Sequence, residues 1–222
     1  MNGFWVVLGG DYSGKSETLR RLAAEGWRVV SYDDPYLHGF PVVRALRSTL
    51  FFDAYRRIGR DYSPELAFSL LTPVVWHLRD EALRGAGQGP TLVDSYYFKL
   101  LAKGIISGIA DPATVALWRS FPAPEGVVFL DVDPDLAWRR AGGAAGLNPV
   151  EHYGPEATYD SFIGYQRDLR AAMLHEVRDV GLTLVDASRS TDLVIADLRA
   201  ALPAGARGPA RRRPRRLTGQ VR

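Results

Sequence analysis

One stretch near the start of the chain, Gly9-Gly10-Asp11-Tyr12-Ser13-Gly14-Lys15-Ser16, restricts the fold more than any other. It fits the pattern G-x-x-x-x-G-K-[ST], in which glycines let backbone N–H groups close around phosphates. Lys15 supplies a mobile positive charge for the β- and γ-phosphates of a nucleotide, and the Ser16 hydroxyl is a Mg²⁺ ligand. Phe4-Trp5-Val6-Val7-Leu8 before the loop reads as a short buried strand. Glu17 to Ala24 after it reads as a helix whose N-terminal dipole faces the phosphates. The alternative is a Gly-rich turn that binds nothing, and Lys15-Ser16 with these flanks weighs against it.

Strands and helices alternate along the remaining chain. Trp27 to Tyr32 reads as a second strand ending at Asp33-Asp34-Pro35, where the acids are either site residues at a strand's C-terminal end or an Asp-Pro turn. Val42 to Gly59 has apolar residues at helical spacing, with Arg44, Arg47, Arg56 and Arg57 on the same segment. Ser63-Pro64 opens a helix running to about Leu83, with Pro73 kinking it or shifting its boundary. Thr91-Leu92-Val93-Asp94 is a short strand ending in an acid, the place where phosphate-loop proteins hold Mg²⁺ directly or through water. A helix from Tyr96 to Ile109 follows, and Tyr96 and Tyr97 at its mouth either join the core or line an acceptor pocket. Gly126 to Val132 and Thr183 to Asp186 are the fourth and fifth strands. Ala141 to Gly154, rich in Gly and Ala, is a candidate mobile lid or a plain surface loop. The pattern predicts an α/β fold, a five-stranded parallel sheet with helices on both faces.

Composition limits what the chain can do. There is no cysteine, hence no disulfide or thiolate metal site. No apolar run approaches the ~20 residues of a membrane span, and no signal segment opens the chain, so a cytoplasmic protein with no membrane role is expected. The net charge of +3 conceals an uneven distribution: seven arginines and no acid lie between Arg207 and Arg222, leaving about −4 on the rest. Residues 1–206 read as one α/β domain, with the lid at about 141–155, and 207–222 as a basic, disordered tail. The tail is either an anion-binding arm or a solvated extension. The second is preferred, because no basic, aromatic-interleaved surface precedes it, and nucleic acid is not expected as a partner.

In the order of its motifs the chain resembles the thymidylate kinase family of P-loop kinases over roughly residues 4 to 202. The resemblance rests on Gly-x-Asp-x-x-Gly-Lys-Ser with Asp11 as third residue, on Asp34-Pro35 for the family's Glu-Pro, and on Asp94-Ser95-Tyr96 for its Asp-Arg-Tyr. Asp133-Pro134 followed by Arg140, and Asp186-Ala187-Ser188, complete it. It implies a P-loop NTPase fold with a lid, ATP and Mg²⁺ as cofactors, and a homodimer formed through packed helices. By this resemblance Gly10, Asp11, Tyr12, Ser13, Gly14, Lys15 and Ser16 surround the ATP phosphates. Ser16 and Asp94 serve the metal, Arg140 stacks on adenine, and Ala187 and Ser188 lie beside it. Asp11, Asp34, Ser95, Tyr96 and Tyr97 shape the pocket of a small-molecule acceptor, a nucleotide or nucleoside-like compound.

Departures from the family pattern bear on the acceptor. The arginine that grips the acceptor phosphate is replaced by Ser95, and the place of a second falls near Val74 or Val75, where no arginine stands. Serine cannot reproduce a bidentate guanidinium. The arginine of the loop or lid is also missing: the loop carries Tyr12, residues 141–158 hold no Arg or Lys, and Arg139 at the lid edge is the nearest substitute. Either Arg44, Arg47, Arg56 or Arg57 takes over the acceptor phosphate, or the acceptor is not a nucleoside monophosphate. An alcohol acceptor needs a base, and deoxynucleoside kinases place an acid after the second strand, where Asp33 or Asp34 stands. The expected function is transfer of the ATP γ-phosphoryl to a nucleoside monophosphate, dTMP or related. The alternatives are a kinase acting on a hydroxyl and a regulatory protein that binds nucleotide without catalysis.

Overall fold

The computed structural model describes residues 3–49, 57–84 and 91–202, the Asp34 side chain excepted. Five strands, β1 (Phe4–Gly9), β2 (Arg28–Val30), β3 (Thr91–Asp94), β4 (Gly126–Asp131) and β5 (Leu182–Asp186), pair in parallel in the order β2-β3-β1-β4-β5. Between and after them run α1 (Lys15–Ala24), α2 (Pro41–Thr49), α3 (Pro64–Ser69), α4 (Thr72–Arg84) and α5 (Phe98–Ile106), then α6 (Pro112–Arg119), α7 (Pro134–Ala141), α8 (Tyr159–Glu176) and α9 (Thr191–Ala201).

Both faces of the sheet are covered, which is why its strands read as continuous apolar runs. Side chains alternate along β1. Phe4, Val6 and Leu8 join Val93 and Phe129 in a core shared with Val74, Leu78, Leu101 and Leu169 of α4, α5 and α8. Val7 faces the other way, with Leu92, Val128 and Leu130, onto Leu19 and Leu22 of α1 and Ile195 and Leu198 of α9. Each such side chain, fully buried, contributes roughly 1.5–3 kcal/mol. The two-sided packing holds β1, and hence the loop leaving it, as a rigid platform.

β2 is shorter than the strand expected over Trp27 to Tyr32, and three helices differ more widely from the sequence reading. The helix expected from Ser63 to Leu83 is two helices. Pro73 falls in the first turn of α4, where its missing N–H costs nothing, and the chain breaks at Leu70-Leu71. The helix expected from Tyr96 begins at Phe98, because Ser95 (φ 57°) and Tyr96 (φ 48°) both take left-handed backbone. The helix expected over Val42–Gly59 is described only as α2. Residues 50–56, including Arg56, lie outside the described residues, and Ile58 pairs with Tyr62 in an isolated bridge. The basic tail also lies outside them. The segment expected as a lid follows α7, which ends on Gly142 in left-handed backbone, φ 77°. It makes one 3-10 turn (Ala144–Gly146) before the capping box of Thr158 and Ser161 starts α8.

Candidate active site

The strand order reverses direction at β1: β3 and β2 lie to one side of it, β4 and β5 to the other. Open parallel sheets bind ligands in the crevice at the carboxyl ends of their strands at such a switch point, and the loop Gly9–Ser16 fills it here. Two of its glycines are required by geometry. A Cβ on Gly9 would lie 2.8 Å from the Leu130 carbonyl oxygen and 2.9 Å from Ser13 Oγ. Gly14 has φ 82°, left-handed backbone that side chains rarely adopt, and it heads α1 without a side-chain cap.

Lys15, at the start of α1, reaches across to Asp94 at the tip of β3 and forms an ion pair with Oδ1. Both side chains are deeply buried, 10% and 3% exposed. Ser31 Oγ donates to Asp94 Oδ2 at 2.8 Å, and Ser95 Oγ donates to Oδ1 at 2.9 Å. Burial alone would raise the Asp94 pKa. The Lys15 charge and these hydrogen bonds outweigh it and hold the carboxyl below its ordinary range. Strained backbone follows directly. Ser95 and Tyr96 are held in left-handed conformation by Ser95 N–H donating to the Val7 carbonyl (3.0 Å) and Tyr96 N–H to the Asp94 carbonyl (2.6 Å). Two successive non-glycine residues in that region cost about 1 kcal/mol or more each. The bend turns the Ser95 hydroxyl back onto Asp94.

Beside this pair Ser16 Oγ donates to Asp33 Oδ2 at 3.3 Å, and Arg47 of α2 stands 3.7 Å from Asp33 Oδ1. Of the acids after β2, Asp33 is thus the one shown against the loop. Asp34 opens a 3-10 turn (Asp34–Tyr36), and its side chain lies outside what the structure describes. Arg44, one turn before Arg47, is exposed.

On the opposite flank of the loop, Asp11 is buried among three partners from distant elements. Gln166 of α8 donates to Asp11 Oδ2 at 2.9 Å and accepts from the Asp11 N–H at 3.2 Å. Lys99 Nζ lies 2.9 Å from Oδ1 and Lys103 Nζ 3.1 Å from Oδ2, both from α5. Burial would raise the Asp11 pKa, but the two ammonium groups and the Gln166 hydrogen bond carry it far below the ordinary carboxylate value.

Tyr12 and Lys103 tie the segment after α7 to the loop. The Tyr12 hydroxyl is 2.8 Å from both the Gly146 carbonyl oxygen and Glu151 Oε2; with one proton it donates to one at a time. Burial and then Glu151 push its pKa well above the ordinary value. Lys103 donates to the Val150 carbonyl at 3.1 Å. Arg140 donates to the Tyr12 carbonyl (3.3 Å) and the Ala187 carbonyl (2.9 Å), joining the loop to the turn after β5. In that turn the Ser188 N–H and hydroxyl donate to Asp186 Oδ1 at 2.9 and 2.6 Å. Arg139 is exposed at the end of α7.

The structure therefore gathers Gly10, Asp11, Tyr12, Ser13, Gly14, Lys15, Ser16, Asp94, Ser95, Arg140 and Ala187 around one loop. Tyr96 and Tyr97 are instead core residues: Tyr96 packs edge-on against Phe4 at 5.1 Å, and Tyr97 against Phe98 at 4.5 Å. Sequence reasoning missed the roles of Ser31, Lys99, Lys103, Gln166 and Glu151. One signal was available. The chain has only three lysines against twenty-five arginines, and all three meet carboxylates at this loop.

These residues fit a nucleotide's phosphates. The Ser13 hydroxyl, on a residue 3% exposed, is buried without a partner, and the uncapped N-terminus of α1 starts beside it. Among the described residues no three acidic, histidine or cysteine side chains cluster to cage a metal. Ser16, Asp33 and Asp94 offer the one or two oxygen ligands Mg²⁺ takes when phosphates supply the rest.

No protein-family model and no curated protein matches this sequence. Among solved structures, thymidylate kinase from Candida albicans superimposes with a TM-score of 0.61 at 17% identity, covering 90% of each chain. Deoxyadenosine kinase from M. mycoides, solved with dCMP and dCDP bound, gives 0.60 at 11% identity, covering 89% of this chain and 97% of its own. Likeness of this extent at such low identity is a likeness of fold: the five-stranded parallel sheet with helices on both faces found in this chain is arranged like the fold of these two structures.

Proposed function

We propose that this chain is an ATP- and Mg²⁺-dependent phosphotransferase that moves the γ-phosphoryl group to a nucleoside monophosphate, dTMP or a related one. The observation that carries the reading is the convergence of Lys15, Ser16 and Asp94 at the mouth of the loop, with Asp11 on its other flank. Bound ATP·Mg²⁺ supplies the transferable phosphoryl and neutralises its charge. The chain's own residues do the positioning. Loop N–H groups and the N-terminus of α1 hold phosphate oxygens, Ser13 Oγ gains a partner, and Lys15 exchanges one oxyanion, that of Asp94, for another. Ser16, Asp94 and Asp33 face the cation, and Arg140 fixes the loop against the turn that borders the base. Catalysis of this kind is positioning and charge stabilisation, with no covalent intermediate on the protein. A cytoplasmic enzyme acting as a homodimer belongs to the same proposal; no described helix is long and apolar enough to cross a membrane.

A second reading, transfer to a hydroxyl, is favoured by one observation. Asp33 stands beside Ser16 as a carboxylate able to take a proton, while Ser95 carries no charge for an acceptor phosphate. Coupled ADP formation over nucleoside monophosphates, their nucleosides, related sugars and no acceptor separates the cases. Turnover with monophosphates, dTMP first, is the expected result. Turnover with nucleosides alone transfers the assignment to the second reading. ATP binding without acceptor-dependent turnover overturns both in favour of a regulatory role.

A further inference from the structure

We propose that Lys99 and Lys103 form the recognition site for the anionic group of the acceptor, a phosphate monoester on a small molecule, with Lys103 as the residue that meets it. This rests on the kinase reading above and names what gives that site its preference for a charged acceptor.

Helix α5 is otherwise apolar, buried at Phe98, Leu100, Leu101 and Ala102. Two lysines four residues apart place both ammonium groups on one face of it. Burying a cation in such a setting is costly unless it is paired. Here one carboxylate, Asp11, serves both: Lys99 Nζ at 2.9 Å and Lys103 Nζ at 3.1 Å. Gln166 is neutral, so this cluster retains one positive charge against the flank of the phosphate loop. Most other acids around the loop pair with cations, Lys15 with Asp94, Arg47 with Asp33 and Arg170 with Asp131, whereas Glu151 meets Tyr12 and Asn148. The paired lysines of α5 are where two cations share one carboxylate.

The two lysines differ in how they are held. Lys99 is the deeper, its side chain 10% exposed, and it neutralises Asp11 so that the loop carboxylate does not repel an arriving anion. Lys103 is 19% exposed and stands between Asp11, the Val150 carbonyl and the ring of Tyr165, 5.7 Å away. An anion bound there touches the loop, α5 and the segment after α7 together. An ammonium on a flexible stem has three rotatable donors and can exchange a carbonyl or carboxylate partner for a phosphate oxygen without moving its helix. Composition argues the same way: arginine serves every other basic position, and lysine appears only at the loop.

The test compares the parent protein with Lys103→Met, Lys99→Met and Lys103→Arg, each first checked for cooperative thermal unfolding. Methionine keeps the stem and removes the charge. Loss of one charged hydrogen bond predicts a rise of about ten- to hundredfold in KM for dTMP in Lys103→Met. KM for ATP should change little, and Lys103→Arg should recover part of the loss. An unchanged dTMP KM in folded Lys103→Met overturns the proposal. Calorimetric titration with dTMP and with thymidine separates it from the parent reading, since it needs no turnover. Tighter binding of dTMP than thymidine that disappears in Lys103→Met supports the lysine site even if no phosphate is transferred. Equal binding of the two by the parent protein overturns it even if turnover is found. Should both methionine variants fail to fold, Asp11→Asn adds a net positive charge and is predicted to tighten dTMP binding; weaker or unchanged binding overturns the proposal.

Discussion

Replacing Lys15 with alanine is the perturbation whose outcome the structure changes most. From the sequence alone, Lys15→Ala should leave the fold intact and lower turnover by orders of magnitude. The structure pairs Lys15 with a carboxylate whose side chain is 3% exposed, so the substitution strands a buried charge. Removing one member of a buried ion pair costs about 3–5 kcal/mol. Ser31 and Ser95 still donate to Asp94, which sets the expectation at the low end, about 3 kcal/mol. For a chain of this size that lowers Tm by roughly 6–12 °C. The sign of the pH dependence should also invert locally. In the parent protein the folded Asp94 pKa is depressed, so its contribution to stability is present above the ordinary value and lost as pH falls. Without Lys15 burial dominates and raises that pKa, so the destabilisation is largest at neutral pH and shrinks on acidification. Adding Asp94→Asn removes the stranded charge. The cycle of Lys15→Ala, Asp94→Asn and the double variant, followed by urea unfolding at pH 7, should give a coupling of about 1–3 kcal/mol. The double variant should be more stable than Lys15→Ala yet slower than the parent by about 10²–10³ in turnover. A coupling near zero, with Lys15→Ala unfolding at the parental temperature, refutes the buried pair.

Other predictions follow from the same geometry. Tyr12→Phe removes the hydroxyl that reaches Gly146 and Glu151, so stability should fall by about 1 kcal/mol and amide exchange should quicken over residues 144–151, while unchanged exchange there would contradict the tie. Asp11 and Asp94 are both ionised and buried with folded pKa values below the ordinary 3.8, so the urea midpoint should hold from about pH 5 to 7 and drop steeply below about pH 4, with a shallower drop in Asp94→Asn. Gly14→Ala puts a Cβ on backbone at φ 82°, a cost of about 1–2 kcal/mol, and should weaken nucleotide binding more than it lowers Tm; equal binding would show the loop conformation to be unimportant.

How much of this was legible in the sequence depended on how local each determinant is. The loop, its flanking strand and helix and the acid ending β3 are contiguous patterns with one physical meaning each, and the structure has the strand and helix on either side of the loop and the acid against Lys15. The sheet followed from apolar runs spaced by helices. What could not be read was anything settled by long-range packing. Lys99 and Lys103 sit in a run of core residues, and their partner Asp11 is about ninety residues away in sequence. Gln166 lies farther still, on a helix whose amphipathic pattern explains it without a site. The mouth of α5 was ambiguous for a related reason: large aromatics suit a pocket or a core equally, and only the left-handed bend at Ser95-Tyr96 turns Tyr96 inward against Phe4. Pro73 fits a kink or a helix start on local grounds, and the break at Leu70-Leu71 puts it in the first turn of α4.

The most direct test of the kinase account follows the phosphoryl group itself. The protein is incubated with Mg²⁺ and ATP labelled at the γ-phosphate, together with dTMP, and the position of the label is read after separation. The account predicts label in a nucleoside diphosphate, in amounts that depend on dTMP and collapse in Lys15→Ala. Label confined to ATP and inorganic phosphate, unaffected by dTMP, its relatives or their nucleosides, would contradict it.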